Sequence, residues 1–393
     1  MVNIHNYERM FERTLERIQE SKEISKKNKE IIFGFRNYLQ SEGIGIAKIN
    51  RYLGDLTKFN RLLRKQFDKA TKEDIRTVVS AIHAEPLSEQ TKRCFKILLR
   101  KFYRYVRGID EKGVYPEEVK WMKMELGQKH NKLPEELLTE EEIKAIVQAC
   151  TCLRDKALIA SLAESGCRVS EIGTMQIKHV SFETFGARLN VSGKTGARKI
   201  LIINSAPYLQ EWINNHPENR NPDAFLWSHP KTGLLSYSRI ADILKTAAER
   251  AGIKKRVHPH LLRHSRATQL ASIMSDSQLK NYLGWTQNSN MAGIYVHMSG
   301  KDADEAIFRV NNIEIKQEKK EPMLKPLSCP KCNSISPATH RFCNRCGFIL
   351  DKQTAQEIIV GEAERKEADK IIEIALSDPD ILERIKKKIE SLN

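Results

Sequence analysis

The sequence predicts a mainly helical chain with one small antiparallel sheet, an α+β class. Three observations predict it. Apolar residues recur at three- and four-residue spacing through residues 29–105, and the pattern is mostly helical again after 205. Two segments, ARLNVSG and ARKILIIN, read as β-strands, and the KTG between them supplies a hairpin turn. Two C-x-x-C pairs mark a small module beyond residue 328.

Each element follows in order. Residues 1–22 are charged and amphipathic and read as a helical extension. A helical domain over 23–110 then carries four helices. Lys29–Leu39 places Ile32, Phe35 and Leu39 on one face. Ala47–Leu63 aligns Ile49, Tyr52, Leu53, Leu56, Phe59 and Leu63 in one stripe. The third helix starts at Thr71, with Asp74 at the capping position, and the fourth starts near Ser88. Residues 111–134, with Gly113, Pro116 and Pro134, read as a linker. The next domain, 135–310, opens on a Thr139–Glu142 capping box and contains a helix over Arg154–Glu164. A charged linker over 311–327 leads to the cysteine module, 328–350, and to a helical tail, 351–393, interrupted at Pro379. No internal repeat is present.

A chain of 393 residues, 40% apolar and 30% charged, suits two or three domains with sizeable cores. No apolar run approaches the ~18–20 residues of a membrane span. The N-terminus lacks the apolar core of a signal peptide. A cytoplasmic protein is expected, at the nucleoid if DNA is its partner. Lys and Arg number 66 against 50 acids, a net charge of +16, which favours a polyanionic partner. A charge run is usually a solvated face. The second and fourth helices nonetheless carry a large excess of cations over acids, which favours a surface facing phosphates. Lys58, Arg61, Lys92, Arg93, Lys96 and Arg100 are the candidate DNA contacts.

Breaking a DNA strand without a metal requires a nucleophile, cations on the nonbridging oxygens and an acid for the departing 5′ oxygen. Arginine suits the second task because its planar fork is always charged and spans two phosphate oxygens. Histidine or lysine suits proton transfer. Tyrosine can form a covalent ester that conserves the phosphate's energy for resealing. ESGCRVSEI sets Arg168 at the start of a helix, and HPHLLRH sets His260 and Arg263 three apart on one helix turn. NYLGWTQNSNMAGIYVHMS carries Trp285 and Tyr295. Taken singly, a surface salt bridge, a polar helix face and a core tyrosine explain these residues better than catalysis does.

As an ordered set they resemble the tyrosine recombinases, also called the phage integrase and Xer family. The matching segments are ESGCRVSEI, VSGKTGARKI with Lys194, HPHLLRHSRAT, LGW and IYVHMSG, and the resemblance spans about residues 20–310. It implies an N-terminal SAM-like core-binding domain followed by the catalytic domain. Tyr295 would attack the scissile phosphate to form a 3′-phosphotyrosine. Arg168 and Arg263 would hold the nonbridging oxygens, and His260 would transfer a proton near the nucleophile. Lys194, at the hairpin tip, would protonate the 5′ oxygen, with Lys199 and Arg198 as rivals for that role. Trp285 would donate its indole N–H to a phosphate oxygen, and Glu171 would support the pocket. A phenol has pKa ~10, so nearby guanidinium groups must favour the phenolate. Two departures stand out. Trp285 occupies a position where many members carry histidine, which shifts proton transfer to His260 and Lys194. The interval from Trp285 to Tyr295 is also one residue longer than usual. Tyr282 is the local rival nucleophile, His264 is expected to be structural, and His297 is expected on a helix surface.

Cys329 and Cys332, followed by Cys343 and Cys346, form two close thiolate pairs, the arrangement that satisfies tetrahedral zinc. The segment resembles a zinc ribbon. Four cysteines close the coordination shell, so the zinc is expected to be structural, with His340 a weaker fifth ligand and no metal required for catalysis. A reducing cytosol disfavours disulfides. Cys94, Cys150, Cys152 and Cys167 read as small core residues.

Site-specific recombination of double-stranded DNA, performed by a homo-tetramer, is the leading expectation. A type IB-like topoisomerase would share the residues and the covalent intermediate. A catalytically silent DNA-binding regulator with a zinc ribbon is the reading from another class.

Overall fold

The structure is a computed structural model that describes residues 4–124, 136–193, 196–229, 233–298, 311, 322 and 324–390, the last three of the 233–298 segment by backbone only. The chain divides into two units, Met1–Lys132 and Leu133–Asn393.

The first unit is helical: α1 (Tyr7–Glu20), α2 (Lys26–Ser41), α3 (Ile46–Leu63), α4 (Lys72–Ala84), α5 (Glu89–Val106) and the short α6 (Glu117–Lys120). Side chains stop the fraying of three N-termini. Ser25 and Ser88 accept from the N–H groups of Asn28 and Thr91, and Thr71 with Asp74 forms a full capping box. The apolar stripes meet in a core where Phe35, Phe59, Phe67 and Phe102 are fully buried. Asn28 is a polar tie inside it. Its side chain donates to Asn60 Oδ1 at 2.8 Å and Lys65 O at 3.0 Å, and accepts from Phe67 N at 2.9 Å.

The expected linker begins later than the sequence indicates. Val119 and Met122 belong to the first unit's core, so the chain through 124 folds back onto it. Gly113, at positive φ, and Pro116, the N-cap of α6, shape a turn and the start of that helix, and Pro134 lies outside the described residues.

The second unit contains α7 (Glu140–Gln148), α8 (Leu153–Ser165), α9 (Val169–Gly173), β1 (Val180–Glu183), β2 (Gly186–Gly193), β3 (Gly196–Ile202) and α10 (Ala206–Asn214). It continues through β4 (Ser228–His229), β5 (Gly233–Leu234), α11 (Tyr237–Arg250), α12 (Pro259–Ala271), α13 (Asp276–Leu283) and α14 (Met291–Met298). Helix α8 is the axis. Seven consecutive residues, Ala157 to Ala163, are buried, which only a helix surrounded by other elements allows. The sheet runs β1-β2-β3, all antiparallel, with Val191 opposite Arg198 and Gly193 opposite Gly196. The hairpin matches the expectation, but β1 was not anticipated. Its residues VSFE are mostly exposed on both faces and show no alternation.

The cysteine module brings a further small pair, β6 (Leu327–Ser328) and β7 (Ile335–Ser336), with Leu327 opposite Ser336. It docks on α10. The Tyr208 hydroxyl lies 3.0 Å from Thr339 Oγ1 and accepts from Thr339 N at 3.1 Å. Two tail helices follow, α15 (Lys352–Ser377) and α16 (Pro379–Glu390), separated where Pro379 takes the first helical position of α16. Of the four scattered cysteines, Cys150 and Cys167 are buried as expected, whereas Cys152 is exposed at the N-cap of α8.

Candidate active site

The site gathers where two helices of the second unit end. Gly166 caps α8 and Gly284 caps α13, both in the left-handed conformation that glycine adopts without strain. A helix C-terminus presents unpaired carbonyls at the negative end of the dipole, so it attracts cations. Both candidate arginines bind there. Arg263, in the first half of α12, donates to Gly166 O and to Leu283 O, each at 2.7 Å. Arg168, the N-cap of α9, donates to Gly284 O at 2.8 Å.

Glu171 ties this cluster together. It accepts from the Arg168 N–H at 2.9 Å and from Arg168 Nη1 at 2.7 Å. Arg198 on β3 holds both its carboxylate oxygens, at 2.9 and 2.8 Å, and donates Nε to Tyr282 O at 2.9 Å. Burial alone would push the Glu171 carboxyl up, yet Arg198 and then Arg168 hold it down at about 2. Arg263 is brought down to about 10 by burial and by Arg168 beside it, and so stays charged at neutral pH. Three guanidinium groups against one carboxylate leave a net positive pocket, suited to a phosphate.

Tyr295 lies in this neighbourhood on α14, only 3% exposed. Its ring stacks on Trp285 with centroids 5.3 Å apart and planes 10° apart, and Arg263 Cζ sits 5.6 Å over the same indole. Burial pushes the phenol up to about 12, with Arg263 pulling the other way. The Tyr295 hydroxyl contacts His264 Nδ1. His264, expected to be structural, thus stands directly against the candidate nucleophile. His260, one turn earlier on α12, is exposed. Sequence reasoning missed both this contact and the Arg198 clamp, because the partners are 31 and 27 residues away along the chain.

Lys194 falls outside the described residues. Of its rivals, Lys199 is exposed on β3 and Arg198 is committed to Glu171. Tyr282 turns its hydroxyl toward Glu164 O at 3.4 Å. The His297 side chain lies outside the described residues.

The four cysteines come together: the sulfurs of Cys329, Cys332, Cys343 and Cys346 lie within 4.8 Å of one another and can hold a metal ion. Two tight turns present them. Asn333 N donates to Cys329 O at 2.8 Å, and Gly347 N to Cys343 O at 2.9 Å, with Asn333 and Gly347 at positive φ. His340 instead pairs with Glu211 of α10, Nε2 to Oε2 at 3.1 Å.

In the first unit, four of the six candidate DNA contacts already have partners. Lys58 pairs with Glu85 at 2.5 Å and Lys92 with Glu89 at 2.9 Å. Arg93 donates to Met124 O, and Arg100 donates to Lys120 O while lying 4.3 Å over the Tyr115 ring. Arg61 is exposed and lines a hollow with Arg17 and Lys58, and Lys96 is half-buried.

A family model described as the phage integrase family matches residues 136–301, and one described as phage integrase, N-terminal SAM-like domain, matches 32–108. Tyrosine recombinase XerA of Pyrococcus furiosus is 28% identical over 294 residues, covering 72% of this chain and 95% of that protein. Tyrosine recombinase XerC of Oceanobacillus iheyensis is 27% identical over 291 residues, covering 70% and 93%. In fold, the chain resembles the XerH site-specific recombinase bound to a palindromic difH substrate, with TM-score 0.55 and 21% identity over 78% of this chain and 97% of that one. The cysteine module lies outside both family matches. The two matches together take in well over half of the residues, and the catalytic one contains the whole arginine, histidine and tyrosine cluster: the chain belongs to the phage integrase family, the tyrosine recombinases.

Proposed function

We infer that this protein is a site-specific recombinase that breaks and rejoins double-stranded DNA through a 3′-phosphotyrosine. The observation that carries the reading is the convergence of Tyr295, Trp285, Arg263 and Arg168 around the C-terminal ends of α8 and α13. Each of Arg168 and Arg263 uses two of its five N–H donors on carbonyl or carboxylate oxygens and keeps others for a phosphate.

In this reading Tyr295 Oη attacks the scissile phosphorus and the bond to the 5′ oxygen breaks. Arg168 and Arg263 hold the nonbridging oxygens, whose charge grows in the pentacoordinate transition state. Their positions are set before DNA arrives, by helix-end carbonyls and by Glu171, so little reorganisation is needed during the reaction. Trp285 donates its indole N–H to a phosphate oxygen, and His260 serves in proton transfer. Lys194 protonates the departing 5′ oxygen, with Lys199 as the neighbouring alternative. Attack by a 5′ hydroxyl from another strand reverses the steps and reseals the DNA. Strand exchange between two duplexes calls for a homo-tetramer.

The four thiolates are a complete ligand set for a structural zinc ion, with Cys329, Cys332, Cys343 and Cys346 as ligands. The reaction uses no metal.

The test is incubation with nicked, self-trapping DNA sites. Wild type should form a covalent DNA adduct, and Tyr295→Phe none. An adduct that persists in Tyr295→Phe would sink the nucleophile assignment. Relaxation of supercoiled DNA without two-site exchange would favour a topoisomerase.

A further inference from the structure

Among the described residues every exposed phenylalanine stands in one neighbourhood, and no tyrosine or tryptophan is exposed. Phe182 and Phe185 lie at the turn of the β1–β2 hairpin, and Phe342 and Phe348 flank the second cysteine turn. Ile335 and Asn344 of the cysteine module join the two sets, because they line a hollow of about 410 Å³ together with Phe182 and Phe185. Phe185 is 80% exposed. Large apolar rings gathered in water mark an interaction surface.

The charge around them has one sign. Residues 324–350 contain Lys325, Lys331, Arg341 and Arg345, all exposed, and no aspartate or glutamate. These cations outweigh the net negative charge of a four-thiolate zinc centre. Arg341 has an acid nearby, Glu357 at 3.7 Å, but both side chains are open to water, where such a pairing is worth little. Glu183, the acid lining the hollow, is taken up by Arg188 at 2.5 Å. The module docks on α10 through Thr339 and His340, which leaves the phenylalanines and cations outward.

We propose that this face binds single-stranded DNA, with phosphates along Lys331, Arg341 and Arg345 and unpaired bases on the phenylalanine rings. Every base offers a π-face to an aromatic ring, and only an unpaired, unstacked base has that face available. Asn344 accepts from Ser336 Oγ at 3.3 Å through its carbonyl oxygen, which leaves its amide N–H groups for a base edge in the hollow. A protein partner fits this face less well. The exposed aliphatics of α15 and α16, such as Ile371, Ile374 and Ile385, lie among charges of both signs, whereas the cysteine module combines rings with cations alone. The proposal goes beyond the strand-cleavage reading and does not require it.

The experiment titrates the full chain into a fluorescent oligothymidine of about 20 nucleotides and into a duplex of equal length, at one salt concentration because the rest of the chain is basic too. Phe342→Ala with Phe348→Ala should weaken single-strand binding at least ~fivefold and duplex binding less than ~twofold. Phe342→Tyr with Phe348→Tyr keeps the rings and should bind as wild type does. Photo-crosslinking of the wild type to a strand carrying 5-iodouracil should label peptides that contain residues 182–185 or 341–348. Four results overturn the proposal. They are a crosslink map without these peptides, a double alanine variant within ~twofold of wild type, equal losses on single strand and duplex, or a changed oligomeric state with unchanged DNA affinity. The third makes the face a general phosphate contact and the fourth a contact between copies. Should the alanine pair unfold the module, the crosslink map decides alone. None of these outcomes bears on the Tyr295 adduct.

Discussion

Arg198 grips Glu171 with both ends of its guanidinium, Nη1 to Oε1 at 2.9 Å and Nη2 to Oε2 at 2.8 Å, while Arg168 reaches Oε1 from α9 at 2.7 Å. The carboxylate is 2% exposed. One buried acid thus links β3 to Arg168 at the start of α9. The Nε bond to Tyr282 O extends the link to α13.

Removing this charge leaves two partly buried guanidinium groups facing each other. Glu171→Gln should cost about 3 kcal/mol, the penalty for breaking one side of a buried pair. The pH dependence follows from the lowered carboxyl. Its folded value, about 2, lies below the ordinary carboxylate range, so it stabilises fully above about pH 5 and progressively less as pH falls toward 2. Urea unfolding of both proteins at pH 7, 4 and 3 checks this. The wild-type advantage should shrink with acid, and an equal difference at all three values would contradict the assignment.

Gly284 carries two duties in the same cluster. Its carbonyl accepts from Arg168, and its φ of +64 lies in the left-handed region. A Cβ there would stand 2.5 Å from Arg198 Nη1 and 2.8 Å from Cζ. Gly284→Ala therefore strains the backbone and displaces the clamp together. A loss of ~1–3 kcal/mol is expected, with slower adduct formation. Gly54, in the middle of α3, has nothing within 4 Å of a built Cβ. Gly54→Ala should be neutral or stabilise by ~0.5–1 kcal/mol. Thermal melts of the two variants separate a helical-propensity effect from loss of the clamp.

Local signals made most of the fold readable from the sequence. Thr71 with Asp74 and Thr139 with Glu142 form the capping boxes their spacing announces, and β2 and β3 pair antiparallel as the hairpin reading expects, with Gly193 opposite Gly196. Strand β1 escaped notice because both its faces are open, which leaves no alternation to read. The site was legible as an ordered set of residue types, since Arg168, Arg263 and Trp285 do lie around Tyr295 or its neighbours. Two contacts were not legible. Nothing in LLRHS distinguishes a histidine remote from the cluster from one against Tyr295, and nothing in GARKI marks Arg198 as a clamp. Both depend on how β3, α12 and α14 pack, a long-range outcome without a local signature.

The four-cysteine module offers the last prediction. Its two cysteine turns are held by few backbone bonds and by a ligand set that is complete only with a metal, so most of its stability should come from the ion. Purified protein should contain one zinc per chain by elemental analysis. Chelation, or Cys343→Ser, should raise hydrogen exchange across 325–350 and at α10, where Tyr208 meets Thr339 and Glu211 meets His340. The catalytic cluster has its own anchors on α8, α9, α13 and β3, so exchange there should change little. Adduct formation on short trapping sites should stay within about threefold, because the proposed reaction draws on no residue of this module. Collapse of adduct formation on chelation, with the cluster's exchange unchanged, would assign the cysteine module a direct part in the reaction.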